Sequence, residues 1–303
     1  MDSDRLKAFK KFEKRAKSSR LSRWLYRPIG YPLAICHAYL LYPRFVGNLQ
    51  VQTSTFWGDP IDVPLPAGLD IFLTGGKSHD SEIRLIKWML ENISPDEIAL
   101  DIGAHIGFFS LLLHSLMSDD GRVFSFEPSR DIFLFLEKNL NLIPSCQVMQ
   151  IALSDQSGQK DFYAYPMAHS EFNTMHPELL SQDKKASHIN PELYQVSTIT
   201  LDAWVQKNGM IPTFIKMDVE GSEYEVLMGG NEVLRHYLPR LIMEFQIVKE
   251  KRAPYVKAVD LGRSIGYIPH EILQNGSLKE IFDIENWADQ KSLESDNIVL
   301  LGS

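Results

Sequence analysis

Glu97-Ile98-Ala99-Leu100-Asp101-Ile102-Gly103-Ala104-His105-Ile106-Gly107 decides the fold. The apolar run 98–100 reads as a short buried strand, and the apolar stretch Phe108–Met117 that follows reads as a helix. Between them, glycines let the backbone turn tightly and approach a ligand closely. The spacing is not the G-x-G-x-x-G of dinucleotide sites. An acid at the strand end, Asp101, also disfavours a pyrophosphate there and suits a positively charged ligand, such as an aminoacyl or sulfonium group.

Working outward, the same rhythm continues. Ile83, Ile86, Lys87, Met89 and Leu90 mark a helix that stops before Pro95. Arg122–Phe126 is a second strand ending at Glu127-Pro128, residues 130–142 a helix, and Gln147–Ile151 a third strand. Thr213–Asp218 is a fourth strand, followed by a helix over Ser222–Leu234, and Leu241–Phe245 is a fifth. Alternating strands and helices predict a doubly wound α/β fold with a mostly parallel sheet covered on both faces. Ligands of such sheets sit at the carboxyl ends of the strands. Asp101, Glu127, Asp218 and Glu244 all stand there. Residues 160–200 break the rhythm: two strands (Lys160–Tyr165, Gln195–Thr200) flank a long polar stretch, expected to act as a lid or substrate segment. Upstream, residues 44–79 read as short strands and turns, Phe45–Asn48 and Leu69–Leu73 among them.

Glu127 lies twenty residues beyond Gly107. A carboxylate at the tip of the second strand can accept from both hydroxyls of a ribose, the logic of the acidic residue in dinucleotide folds. Together with Ala152-Leu153-Ser154-Asp155, Thr200-Leu201-Asp202, the run Ile215–Glu223, Val226–Gly230 and Pro239–Glu244, these motifs resemble the FkbM family of S-adenosylmethionine-dependent methyltransferases over about residues 80–245. His105 departs from the family, which usually has Asn there.

The resemblance implies a seven-stranded, Rossmann-like class I methyltransferase sheet over residues 80–303, completed by Gly266–Leu273 and an antiparallel Asn297–Leu301. It implies S-adenosyl-L-methionine as cofactor, with Asp101, Gly103, Ala104, His105 and Gly107 around the methionine portion, Glu127 at the ribose, and Ser154 and Asp155 near the adenine. It implies O-methylation of a sugar, glycolipid or related natural product. Asp218, Glu220 and Glu244 are the candidate catalytic acids: one takes the hydroxyl proton, or several hold a divalent cation. Lys216, in mid-strand, is a candidate buried partner for them. His169, His176 and His188 match no zinc motif and read as loop histidines, so no metal ligands are assigned. Two other readings stay open, a nicotinamide-dependent oxidoreductase and a non-catalytic module that binds the cofactor.

Charge divides the 303 residues unevenly. Residues 1–27 hold ten bases and three acids, net +7, whereas the rest carries 21 bases and 36 acids, net −15. The acidic body argues against a nucleic-acid partner. Hydrophobic residues at 44% and charged residues at 23% exclude wholesale disorder. Two cysteines, Cys36 and Cys146, make no disulfide framework and suit a reducing, cytoplasmic compartment. In the arm (residues 1–43), Leu6, Phe9, Phe12 and Ala16 recur at helical spacing among the bases. The pattern predicts a helical extension, with residues 1–42 as a peripheral contact for an anionic membrane.

Overall fold

The computed structural model describes residues 3–19, 49–181, 183 and 186–303, together with residues 30, 32 and 35. The basic arm is helix α1 (Ser3–Ala16), and its apolar stripe faces protein. Phe9 and Phe12 are 1% and 0% exposed. Phe12 stacks on Phe56 with ring centroids 4.9 Å apart. Its ring also fills the space beside Gly76, where a Cβ would lie 2.9 Å from it. For residues 3–16 the expectation of an apolar face in lipid is therefore corrected: that face is core, and only the basic face, with Lys7, Lys10, Lys11 and Lys14, meets solvent. The apolar segment Ile29–Tyr42, Cys36 and the strand expected at Phe45–Asn48 fall outside the described residues, apart from residues 30, 32 and 35. No helix among the described residues is long and apolar enough to cross a membrane. Phe12→Ala is expected to lower unfolding stability by about 3–5 kcal/mol in a urea titration; a purely lipid-facing phenylalanine would leave that titration unchanged.

Strands β1 (Leu49–Ser54) and β2 (Pro60–Leu65) form an antiparallel ribbon. The strand expected at Leu69–Leu73 is instead helix α2 (Leu69–Thr74), ended by Gly75 at φ 87°. A five-residue stretch with four apolar residues carries too little periodicity to separate the two, and the left-handed glycine closes the helix. Then follow α3 (Asp80–Asn92), β3 (Ile98–Ile102), α4 (Phe108–Leu116), β4 (Arg122–Phe126), α5 (Arg130–Leu140) and β5 (Cys146–Met149). The insertion contributes β6 (Ala152–Leu153), β7 (Gly158–Ala164) and β8 (Glu192–Ile199), a separate three-stranded sheet with short 3-10 turns between β7 and β8. The main rhythm resumes with α6 (Leu201–Asn208), β9 (Phe214–Met217), α7 (Glu223–Gly229), α8 (Asn231–Tyr237) and β10 (Arg240–Gln246). The single helix expected over 222–234 is thus two, broken at Gly230, the cap between them. Last come α9 (Ala253–Ile265), β11 (Tyr267–Ile272), β12 (Leu278–Glu280), α10 (Ile284–Asp289) and β13 (Ser295–Gly302).

The main sheet has the order β12-β11-β13-β10-β9-β3-β4-β5. The five strands from β10 to β5 are parallel, and β13 runs antiparallel to β10. This is the expected doubly wound sheet with one correction, an eighth strand. Asn275-Gly276 turns the chain after β11, and β12 pairs back as a three-residue edge. Successive strand residues feed two cores. Ala99, Val123, Phe214 and Ile242 pack with α1, α3, α4 and α5, while Leu100, Phe124, Ile215 and Leu241 pack with α6 to α9.

Candidate active site

Strand order runs from β3 to β5 in one direction and from β9 to β10 in the other, so the crevice opens between the tips of β3 and β9. The loops touch there. Gly103 has φ 76°, and a Cβ on it would lie 1.8 Å from the carbonyl oxygen of Asp218. A cavity of about 1040 Å³ lies over these tips. Its walls include Ile102, Gly103, His105, Phe126, Glu127, Pro128 and Ile151–Leu153 on one side, and Asp218, Val219, Glu220, Glu244 and Tyr255 on the other.

Glu127 is 6% exposed and lines the cavity. Its Oε2 accepts from the backbone N–H of His105 at 3.0 Å and its Oε1 from that of Ser129 at 2.9 Å. Each oxygen keeps a further lone pair. Burial pushes its pKa up to about 7, against the pull of those two amides. A folded-state value above the unfolded one makes the native state bind the extra proton. The resulting stabilisation is complete at pH 4 and is lost as pH rises towards 7 and beyond. Melting temperatures of Glu127→Gln relative to wild type are therefore expected to shift in the variant's favour between pH 5 and 8. A pH-independent difference would refute the shifted titration.

Asp101 stands behind the cavity wall. It is 0% exposed, accepts from Ser110 Oγ at 2.6 Å, and Ser125 Oγ donates to Ser110 at 2.8 Å. Strand register sets this chain of polar groups, because Asp101 lies opposite both Ser125 and Lys216. Lys216 Nζ is 3.7 Å from Asp101 and 3.2 Å from Asp218, and it is itself buried. Of the other loop residues, His105 reaches the cavity, whereas Ala104 is buried and Gly107 caps α4 against Leu136. Ser154 and Asp155 are not brought into the cavity. Ser154 is fully buried and its hydroxyl donates to Asp155, which pairs with Lys160 at 2.5 Å. The wall expected from them is made by Ile151, Ala152 and Leu153, because β6 pairs with β8 and turns the chain away from the cavity after Leu153.

Asp218, Glu220 and Glu244 converge, with carboxylate oxygens all within 4.8 Å of one another. Burial raises Asp218, but Lys216 and Lys77 outweigh it and hold the group below its usual range. Glu220 and Glu244 are pushed well upward by burial and then by the neighbouring carboxylates. Glu220 sits at φ 50° on a loop pinned by Glu223, which accepts from the amides of Val219 and Gly221. Such a set can take a proton near neutrality or hold a divalent cation.

The sequence profile described as the Methyltransferase FkbM domain matches residues 101–274. The chain belongs to the FkbM methyltransferase family. It is 28% identical over 153 residues to the hexuronic acid methyltransferase AglP of Haloferax volcanii, covering 50% of this chain and 57% of that protein. It is 25% identical over 183 residues to the 2-O-methyltransferase NoeI of Sinorhizobium fredii, covering 57% of this chain and 73% of that one. A solved methyltransferase FkbM from Methylobacillus flagellatus is 17% identical with a TM-score of 0.43, over 78% of this chain and 52% of that one. This chain thus spans little more than half the length of the Haloferax protein.

Within this FkbM-family chain, the departure at residue 105 is structurally mild. His105 has φ 51°, a region where Asn, Asp and His are the enriched non-glycine residues, and its link to Glu127 uses the main chain. Its ring, kept neutral with a pKa of about 3 by burial and then by Lys77, is hydrogen-bonded to Ser170 at 2.9 Å. Ser170 and Thr174 of the insertion line the cavity beside it. Thr174 donates to the Glu220 carbonyl at 2.8 Å, His176 pairs with Glu225 at 3.2 Å, and Lys251 reaches Asp183 at 2.5 Å. The expectations for the histidines miss His176 as a tie to the body. The sequence reading also misses the cavity wall formed by Asp70, Thr74, Lys77, Ser78, Ser81 and Glu82, which precedes the motifs.

Proposed function

We propose that this chain is an S-adenosylmethionine-dependent O-methyltransferase acting on a sugar hydroxyl. The observation that carries the reading is the placement of Glu127, beyond β4, and the acid trio, at β9 and β10 on the other side of β3, around one cavity. The residues fit the cofactor. Glu127 keeps lone pairs for two ribose hydroxyls, Phe126, Pro128, Ile151, Ala152 and Leu153 offer an apolar slot for a base, and the Gly103 loop brings main chain to the cavity. The cofactor, when bound, supplies an electrophilic methyl group. This chain's residues hold the acceptor hydroxyl in line with it, where orientation alone can contribute up to roughly 7–11 kcal/mol. A carboxylate oxygen of Glu244 or Glu220 takes the hydroxyl proton. The names of the two curated relatives support a sugar as acceptor.

Calorimetry with S-adenosylhomocysteine tests the cofactor half: wild type is expected to bind and Glu127→Ala to lose roughly 100-fold or more, two charge-assisted hydrogen bonds being removed. A wild type that does not bind would refute the reading. A second reading, a divalent cation at the trio, is favoured by the 4.8 Å spread of three carboxylates. Activity lost on chelation and restored by magnesium or manganese supports it, and activity indifferent to chelation removes it.

A further inference from the structure

Two buried polar side chains on the acid-trio side of the cavity bond to nothing in the protein. Tyr255, in the first turn of α9, is 2% exposed and lines the cavity. Its ring stands edge-on to Phe245, with centroids 6.1 Å apart, and its hydroxyl has no hydrogen-bond partner among the described residues. Asn297, on β13, is 7% exposed and lines the same cavity. Its side-chain amide also has no partner among the described residues. Buried phenols and amides ordinarily find one. The family match ends at residue 274, before Asn297.

The fold sets both residues around Glu244. β13 runs antiparallel to β10, so it begins where the parallel strands end, and Asn297 is the register partner of Glu244. Direct partners project from one face of the sheet, with Cβ atoms about 4.5–5.5 Å apart. Tyr255 meets the same group from α9. Burial, and then the carboxylates of Glu223, Glu220, Glu244 and Asp218, hold its pKa well above the usual phenol range. The phenol therefore keeps its proton and stays a donor, while the Asn297 amide offers both N–H donors and a carbonyl acceptor. A sugar hydroxyl both gives and accepts a hydrogen bond, so it satisfies the two together. The reacting hydroxyl does not suit this place. It must give its proton to a carboxylate and keep a lone pair for the methyl group, and a phenol donating to it would draw electron density from the attacking oxygen. The hydroxyl on the adjacent carbon has neither duty.

We infer that Tyr255 and Asn297 bind the hydroxyl next to the one that is methylated, so that the acceptor is a vicinal diol. Tyr255 Oη donates to that neighbouring oxygen, and the Asn297 carbonyl accepts from its O–H. No bond is made or broken there. The contact fixes the rotation of the sugar, and the reacting hydroxyl is thereby held against Glu244. This deepens the proposed function, on which it rests, by assigning two residues to the acceptor.

The test uses the full chain, labelled S-adenosylmethionine and the methyl glycosides of glucose, galactose and mannose. The glycoside turned over best is then compared with its monodeoxy forms. Tyr255→Phe and Asn297→Ala are each expected to lower kcat/KM on the parent glycoside roughly 10-fold, the scale of one hydrogen bond whose other partner is left unpaired. Wild type should lose a similar factor on the form that lacks the hydroxyl beside the methylated position. Tyr255→Phe should lose little more on that form, because phenol and hydroxyl make a single contact. Calorimetry should find S-adenosylhomocysteine affinity unchanged in both variants. Tyr255→Phe should also melt no lower than wild type, since its hydroxyl has no bond to lose in the free protein; if Asn297→Ala fails to fold, Tyr255→Phe alone decides. Wild-type kcat/KM in Tyr255→Phe overturns the inference. So does a loss of equal factor on the parent and deoxy glycosides, or a parallel loss of S-adenosylhomocysteine affinity. Wild type that binds S-adenosylhomocysteine but methylates none of the three glycosides would sink the sugar reading beneath, and the assignment with it.

Discussion

Glu244→Gln and Asp218→Asn are each expected to lower kcat by about 10²–10⁴ while S-adenosylhomocysteine affinity is retained. Three carboxylates within 4.8 Å cannot all hold full charge cheaply. Lys216 and Lys77 assign the charge to Asp218, and burial with that neighbouring charge leaves the proton on Glu244 to a higher pH than usual. A general base must be deprotonated, so kcat is expected to climb through the raised titration of Glu244 in wild type. Asp218→Asn removes one of the charges that raise it. The climbing limb should then move to lower pH, even as its height falls. A pH–rate profile of both variants reads this directly. Unchanged kcat in both would end the assignment, and a loss of nucleoside affinity in parallel with kcat would reduce the acids to a structural role.

Gly103→Ala is the second large effect. The position combines φ 76° with a Cβ that would sit 1.8 Å from a backbone oxygen of the Asp218 loop, and neither can relax without moving a strand tip. The cost is expected to be about 3 kcal/mol or more, from left-handed strain plus overpacking. Nucleoside binding should go with it, because the same movement displaces the Glu127–His105 link. Gly262→Ala is the control. It lies inside α9, where a Cβ would meet only ordinary contacts at 3.7 and 3.9 Å, and it should be neutral or slightly stabilising. Urea titrations of the pair decide: a mild Gly103→Ala would show that β3 and β9 do not close on each other as described.

Much of the fold was legible because its signals are local. The β3–loop–α4 unit and the acids at the tips of β3, β4, β9 and β10 are written within stretches of about ten residues. Strand–helix alternation then fixes which end of the sheet they share. Ser154 and Asp155 were placed by resemblance alone. The pairing of β6 with β8, forty-odd residues away in sequence, turns Ser154 inward and leaves Asp155 with Lys160. Leu69–Thr74 failed for a different reason, since a short apolar run has no period of its own.

The amino-acid order by itself determined the parallel sheet, the close-approach glycine loop and the carboxylates at its edge, because hydrophobic period and turn chemistry act between near neighbours. Only the tertiary structure decided what each side chain faces. It put Phe9 and Phe12 in the core where their spacing suited lipid equally well. It set Asp101 behind the cavity with Lys216, and it brought Lys77 and Ser81 to the wall of a cavity whose sequence motifs begin only at Asp101. An amphipathic pattern states that one face must be covered; what covers it depends on segments brought together across the whole fold.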